Sequence, residues 1–382
     1  MARKHNHIDC FAGPGGFCTG LKMAGFRTLM AFEKVGTVCE TYAANHPEVH
    51  LVQGDIRNVP DAHFDDCEEV DLVTAGFPCE TFSTAGKNSR YSYDHRQTLF
   101  QEAVRVAVAT KAKFLLCENV PAILTKPLDK GGTKLVIDEI REQLADVGYS
   151  NQFEAVLNAA DYGIPQTRRR FFLLACREKK VSIQRPAPLA ARQVTVQDAF
   201  HGLPTVPSAD AVAAYSADAH YSWLLGTKPL WNATAWADGL TQHICPGHRD
   251  STVERFKLIP QGGKLSDLFK TLPKEEIEEL QRRRVLPKVP YHQRGQRLHP
   301  GRPSPTVTSH CLDELVHPTE PRCLTVREAA RLQSFPDGYE FKGPLSCQHM
   351  AENQDRYEQI GDAVPPLLAA VWGRAVAALL DK

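Results

Sequence analysis

Short apolar runs recur along the first half of the chain, at 7–12, 28–33, 50–53, 70–76, 113–117 and 170–176. Between them, near 17–24, 36–45, 96–110 and 133–147, apolar residues return every three or four positions. Runs bounded by turn residues read as buried strands and the longer periodic stretches as helices. Their alternation predicts an α/β fold built on a doubly wound, mostly parallel sheet. After about Arg177 the alternation gives way to stretches punctuated by proline and glycine. Pro186 to Pro188 reads as a linker and Arg302-Pro-Ser-Pro305 as a return, and helical spacing resumes at 325–333 and 366–380. The predicted units are 1–177, a smaller 178–315, and a C-terminal segment 316–382. No internal repeat or low-complexity tract interrupts them.

Length and composition fit this division. A chain of 382 residues is long for one domain, and its 42% hydrophobic content is ample for a packed core. The eleven cysteines show no close-spaced secretory framework, and the N-terminal residues carry no signal-peptide apolar region, so a reducing cytoplasm is expected. The apolar stretch 366–380 contains Arg374 and is too short for a membrane span, so it is expected to be a core helix and no membrane partner is expected. Net charge is zero but segregated. Residues 166–310 hold 22 Lys and Arg against 12 Asp and Glu, a balance of +10, and the remainder carries −10. The basic part would face phosphates. Some of it is ordinary solvated surface, as in 274–284, where Glu278–Arg282 and Glu279–Arg283 have helix-pair spacing.

Candidate chemistry clusters where predicted strands end. Pro78-Cys79 follows the run 71–77 and opens onto Glu80-Thr-Phe-Ser83, which puts a thiol on a loop at the C-terminal edge of a strand. That edge is where open α/β sheets bind ligands. Any one of eleven cysteines is more often a buried hydrophobe than a nucleophile. Three further segments change the weighting. A glycine-rich turn, Asp9-Cys-Phe11-Ala12-Gly13-Pro-Gly15-Gly16, links the first strand to the first helix. It matches neither GxGxxG nor GxxxxGK[ST], so a phosphate cradle is poorly supported, although glycines allow close backbone approach to a ligand. Cys117-Glu118-Asn-Val ends another strand, and Gln166-Thr-Arg168-Arg-Arg170 precedes the strand 171–175.

These segments, in this order, resemble the motifs of the cytosine-5 DNA methyltransferases. The glycine turn resembles the cofactor motif, Phe77-Pro-Cys79 the nucleophile motif, Glu118-Asn-Val the acid motif and Gln166-x-Arg168-x-Arg170 the arginine motif. Arg322-Cys-Leu-Thr-Val-Arg327-Glu-Ala-Ala-Arg331-Leu-Gln-Ser-Phe-Pro336 resembles the penultimate motif, and Gln359-Ile-Gly361-Asp362-Ala363-Val364-Pro-Pro the last. The resemblance spans Asp9 to about Leu380. It implies a Rossmann-like catalytic unit, a target-recognition domain in the middle segment, and C-terminal helices rejoining the first unit beside the cofactor.

The activity it implies is methyl transfer from S-adenosyl-L-methionine to C5 of a flipped-out cytosine in double-stranded DNA. Cys79 would add to C6, because C5 alone is too weak a nucleophile. Glu118 would hold the N3–N4 edge and donate a proton, which needs a carboxyl raised by burial. Arg168 and Arg170, at i and i+2, share one face in an extended segment and would surround the base O2. For the cofactor, the resemblance points to Phe11, Ala12, Gly13, Gly15, Gly16, Glu33, Asp55, Ile56, Pro78, Leu99, Asp362, Ala363 and Val364. For DNA it points to Ser83 and Gln166, and the basic segment adds Arg294 and Arg297. A monomer is expected, and an accompanying restriction endonuclease is left open.

The sequence departs from the family pattern at Glu80 for the usual Gln, Asp362 for the usual Asn, and Lys34 where an aromatic often follows the ribose carboxylate. His243-x-Cys245-x-x-His248 fits no standard zinc spacing, so loop residues are favoured over a metal site. Competing readings are an RNA methyltransferase of the same fold, a silent DNA-binding homologue and a dinucleotide oxidoreductase. The roughly 140-residue basic segment favours DNA over RNA. Cys79, Glu118 and both arginines argue against a silent homologue, and the Pro-Cys loop against an oxidoreductase.

Overall fold

The computed structural model describes residues 5–77, 99–128, 132, 134–188, 192–203, 240–291, 293–346 and 353–382. Pro78, Cys79, Glu80 and Ser83 lie outside the described residues. Seven strands form one sheet: β1 (Asn6–Cys10), β2 (Arg27–Glu33), β3 (His50–Gln53), β4 (Leu72–Ala75), β5 (Phe114–Asn119), β6 (Asn151–Asn158) and β7 (Arg169–Cys176). Their order is β3-β2-β1-β4-β5-β7-β6. The pairs among β1 to β5 are parallel, and β7 runs antiparallel between β5 and β6. The sheet is thus doubly wound and mostly parallel, as the apolar runs predicted. Strand order reverses beside β1, so the crevice at the C-terminal ends of β1 and β4 is the topological switch point.

Helices α1 (Gly16–Met23), α2 (Gly36–Asn45), α3 (Phe100–Ala109) and α4 (Val136–Asp146) cover the sheet. One face packs Ile8, Val73, Leu115 and Leu173 against α3 and α4. The other packs Leu72, Leu116, Phe172 and Leu174 under α1 and a C-terminal helix. Beyond β7 come α5 (Val196–Phe200), α6 (Asp250–Leu258), α7 (Leu265–Thr271), α8 (Lys274–Arg282) and α9 (Cys311–Glu314), with a two-residue parallel ladder of β8 (Gln296–Arg297) and β9 (Leu315–Val316). The chain finishes with α10 (Val326–Leu332), α11 (Arg356–Asp362) and α12 (Pro366–Leu380). Thr325 and Asp355 start α10 and α11 with reciprocal capping boxes to Glu328 and Glu358.

One local expectation is corrected. Arg282 pairs with Glu279 and Arg283 reaches across to Glu254 of α6 at 2.7 Å, rather than each closing the anticipated i,i+4 pair. The expected core helix is found: α12 is largely buried, and the apolar run Arg356–Leu380, with a mean hydropathy of 1.6, is broken between α11 and α12. The Pro303–Pro305 return is docked: Ser304 N donates to Pro165 O at 2.9 Å and Thr167 N to Ser304 O at 2.8 Å. This bond pair brings the chain after the middle segment against the start of β7.

Candidate active site

The turn after β1 is shaped by left-handed backbone. Phe11, Gly13 and Gly15 have φ of 59°, 56° and 97°, and a non-glycine residue at Phe11 carries a conformational cost. The glycines serve two purposes. A Cβ at Gly13 would meet nothing within 4 Å, so Gly13 supplies the conformation and leaves its surface open to the crevice. A Cβ at Gly16 would lie 2.1 Å from the Val364 carbonyl oxygen, so Gly16 lets α1 touch the last-motif loop. Ala12, Gly15, Gly16, Ala363 and Val364 therefore stand behind the crevice wall rather than on it. The Tyr339 hydroxyl donates to Pro14 O and fixes the turn to the C-terminal segment.

The wall encloses a cavity of about 590 Å³. Phe11 and Gly13 border it from the turn, Glu33 from the end of β2, Asp55 and Ile56 from beyond β3, and Leu99 from the entry to α3. Glu118, Arg168, Arg170 and Asp362 border the same cavity. Ten of the expected site residues thus share one cavity. Lys34, Arg57 and Gln354 also line it and were not expected there. Arg57 stands two residues past Asp55, a spacing that could have flagged it. Gln354 has no local sequence signal, because the C-terminal return alone delivers it.

The carboxylates differ in their surroundings. Glu33 accepts from the backbone N–H of Gly13 at 2.9 Å, of Lys34 at 2.7 Å and of Val35 at 2.8 Å. Burial raises its pKa and these three bonds oppose the rise. Asp55 accepts from Arg57 Nε at 2.9 Å and Nη2 at 2.5 Å, and Lys34 Nζ lies 3.3 Å away. Hydrogen bonding to Arg57 holds Asp55 well below the usual carboxylate range, so it is ionised. Asp362 is exposed at the end of α11, with Gln354 Nε2 donating to Oδ2 at 3.3 Å.

Glu118 lies at the buried end of β5, paired in register with Phe172 of β7. Arg170 shares the Phe172 face by strand alternation and leans along it, bringing Nε to 3.0 Å from Glu118 Oε1. Desolvation raises the Glu118 pKa, and the charges of Arg170 and Arg168 oppose it. Arg168 is used differently from expectation. It is buried, and its guanidinium donates to the carbonyls of Val307 at 2.6 Å, Gly361 at 2.8 Å and Ala363 at 3.2 Å. It thereby ties β7 to both the return and the last motif. The next residue, Arg169, faces solvent.

Gln166, expected at DNA, is fully buried. Its amide donates to Leu332 O at 2.8 Å and Gln333 Oε1 at 2.6 Å, and its oxygen accepts from Val307 N at 3.0 Å. The return docks on the carbonyl of Pro165, just before Gln166, and so covers this side chain. Arg297 is also turned inward, donating from Nη2 to Phe256 O at 2.8 Å, whereas Arg294 is exposed over the Tyr291 ring. At the front of the site, Asn119 Nδ2 donates to Phe77 O at 3.3 Å. The chain is therefore anchored beside Glu118 immediately before Pro78-Cys79.

Comparison with known proteins agrees with this geometry. The C-5 cytosine-specific DNA methylase family model matches residues 5–377. The Type II methyltransferase M.DdeI of Desulfomicrobium norvegicum is 32% identical over 375 residues, covering 95% of this chain and 86% of that protein. The Type II methyltransferase M1.HphI of Haemophilus parahaemolyticus is 33% identical over 375 residues, covering 97% and 86%. A protein solved as a prophage-encoded DNA modification methyltransferase (E. coli) superimposes with a TM-score of 0.64 at 25% identity, covering 99% of this chain and 100% of that one. The chain belongs to the C-5 cytosine-specific DNA methylase family and is a DNA cytosine-5 methyltransferase.

Proposed function

We propose that the protein methylates C5 of a cytosine flipped out of a specific double-stranded DNA sequence, with S-adenosyl-L-methionine as donor and Cys79 as covalent nucleophile. The observation that carries this reading is the single cavity shared by the glycine turn, Glu33 and the Glu118–Arg170 pair. Its size is in the range of cofactor sites. Its donor set suits a nucleoside with a cationic centre: apolar Phe11, Ile56 and Leu99, a backbone-held Glu33 and an ionised Asp55. Glu33 would take the ribose hydroxyls and Asp55 with Ile56 the adenine. Bound there, the cofactor supplies the methyl group.

The chain's own groups do the rest. The Cys79 thiolate adds to C6 of the base, the C5–C6 double bond opens, and negative charge builds toward N3. Glu118, whose pKa burial raises, would deliver a proton to N3 as that charge forms. Arg170 holds the Glu118 carboxyl in place and offers its remaining N–H groups to the base edge. Transfer of the C5 proton to a water or other base then returns the C5–H electrons to the ring as the C5–C6 double bond, and Cys79 leaves as thiolate with the C6–S electrons. A base inside a duplex cannot reach a cavity lined this way, so it must leave the stack at a cost of a few kcal/mol. The Type II names of the relatives support a place in a restriction-modification pair.

A duplex carrying 5-fluorocytosine at the target tests the covalent step, since fluorine at C5 is not lost as a cation and the adduct persists. Mass spectrometry should find the protein joined to DNA through Cys79 in the presence of S-adenosyl-L-methionine. A full-strength adduct with Cys79→Ser protein would overturn the assignment.

A further inference from the structure

The segment 240–249 lies away from the cavity and runs against the start of α10. Arg327 N donates to Gln242 O at 3.2 Å and Val326 N to Ile244 O at 3.0 Å. The side chains continue the pairing, with His243 Nδ1 3.0 Å from Thr325 Oγ1 and Cys323 N donating to His248 Nε2 at 3.1 Å. As residue numbers rise from 242 to 248 their partners fall from 327 to 323, so the two stretches are antiparallel. Cys245 sits within the first stretch and Cys323 within the second. Their thiols are within hydrogen-bonding reach of one another.

The two sulfurs are unequal. Cys245 is half-buried, while Cys323 is fully buried. The hydrogen bond from Cys323 and the nearby Arg322 guanidinium pull the Cys245 thiol below its usual pKa, against burial and the charges of Glu328 and Glu320. The same contact and burial push Cys323 up. Cys10, Cys18, Cys39, Cys67, Cys117, Cys176 and Cys311 are all shifted upward by burial. Among the described cysteines, Cys245 alone is both partly exposed and shifted downward, with the Arg322 guanidinium beside it. That combination, beside a second thiol, marks a cysteine that oxidises readily and is then resolved. A metal ion fits less well, because among the described residues no three His, Cys, Asp or Glu side chains are grouped to hold one.

We propose that Cys245 and Cys323 form a peroxide-oxidisable dithiol, with Cys245 as the reacting thiol and Cys323 as the resolving one. The Cys245 thiolate attacks hydrogen peroxide, the O–O bond breaks, and hydroxide leaves and takes up a proton to become water. The resulting sulfenic acid is attacked by the Cys323 sulfur; an S–S bond forms, the S–O bond breaks, and a second water leaves. The two sulfurs lose two electrons in total and the peroxide gains them. The disulfide would staple segment 240–249 to the N-terminus of α10, converting a hydrogen-bonded seam into a covalent one.

The test is a titration of the full chain with hydrogen peroxide, followed by alkylation of remaining thiols and peptide mapping without reductant. The expected product is a Cys245–Cys323 linked peptide pair, reversed by dithiothreitol. Cys245 should disappear at least about tenfold faster than the half-buried Cys67, whose thiol is pushed up by burial and by the charge of Glu68. In Cys323→Ser protein, Cys245 should instead be trapped as a sulfenic acid that reacts with dimedone. Cys79 is mapped on its own peptide, so its oxidation does not affect the reading. Cys245 remaining alkylatable after Cys67 has reacted would overturn the proposal, and so would isolated protein that carries one zinc ion protecting both thiols.

Discussion

His7, Thr74 and Asp9 form a buried chain beneath the glycine turn, and their protonation states oppose one another. Cys18 Sγ donates to the Thr28 hydroxyl at 3.3 Å, Thr28 Oγ1 lies 2.9 Å from His7 Nδ1, and His7 Nε2 lies 2.8 Å from Thr74 Oγ1. The Thr74 hydroxyl donates to Asp9 Oδ1 at 2.7 Å. With that proton committed to Asp9, His7 must donate from Nε2 and accept at Nδ1, the neutral tautomer. Burial agrees, lowering His7 from 6.5 to about 3 and raising Asp9 from 3.8 to about 7. A lowered histidine contributes stability that is full above pH 6.5 and lost as pH falls toward 3. A raised carboxyl contributes stability that is full below pH 3.8 and lost as pH rises toward 7. Between about pH 4 and 6.5 the two slopes, each about 1.4 kcal/mol per pH unit, have opposite signs and cancel. Asp9→Asn removes one of them. Its stability should fall with acid more steeply than the parent's, by roughly 1.4 kcal/mol per unit in that window. Urea unfolding of both proteins at pH 4.5 and 6.5 checks this, and parallel pH profiles would refute it.

At the scale of elements, the seam between α1 and α12 decides how the C-terminal segment reaches the cavity. A Cβ at Gly20 would lie 2.1 Å from Pro366 O, 2.6 Å from Ala369 Cβ and 2.7 Å from Ala370 N. Two of those neighbours are backbone, so α12 itself must move. Gly20→Ala gains about 1 kcal/mol of helix propensity and loses about 1–3 kcal/mol or more to overpacking, a net destabilisation. The urea midpoint should fall, with Trp372, buried against Phe172, as the fluorescent reporter. Gly36→Ala is the control, since its Cβ would meet only Gln53 Nε2 at 3.6 Å. Equal midpoints for the two variants would mean that the seam is not tight. The helix 366–380 was legible as a core element because its apolar run is broken by a single charge, Arg374, and β1, β4 and β5 because every residue of each is buried. The strand β6 was not read, although Phe153, Ala155 and Leu157 alternate with polar neighbours. It is an edge strand, largely half-exposed, and Val156 breaks the alternation. Glu33, Asp55 and Glu118 came from the family resemblance, and all three border the cavity at or just beyond the C-terminal ends of β2, β3 and β5. Gln166 and Arg168 misled because their partners, Val307 and Gly361, lie some 140 to 190 residues further on.

Across the whole molecule, the excess of +10 over residues 166–310 overstates the surface left for DNA. Part of that charge is committed within the protein. Arg168 and Arg297 bind backbone carbonyls, Arg255 binds Val285 O, Arg170 pairs with Glu118 and Arg283 with Glu254. Arg294 differs: it is 56% exposed, stacks over Tyr291, and pairs with the equally exposed Asp313 at 3.5 Å. An exposed pair of that kind contributes little and exchanges readily for a phosphate. Binding to duplex DNA should weaken with salt along a log–log slope of about −0.9 for each neutralised phosphate. Arg294→Ala should reduce the steepness by about one such unit while leaving the unfolding midpoint unchanged. Arg297→Ala should do the reverse, because its guanidinium holds Phe256 O and its loss leaves a half-buried carbonyl without that donor. Titrations over about 50–200 mM salt, paired with thermal unfolding of both variants, separate the two roles. A slope lowered by Arg297→Ala and untouched by Arg294→Ala would refute the placing of Arg294 at a phosphate.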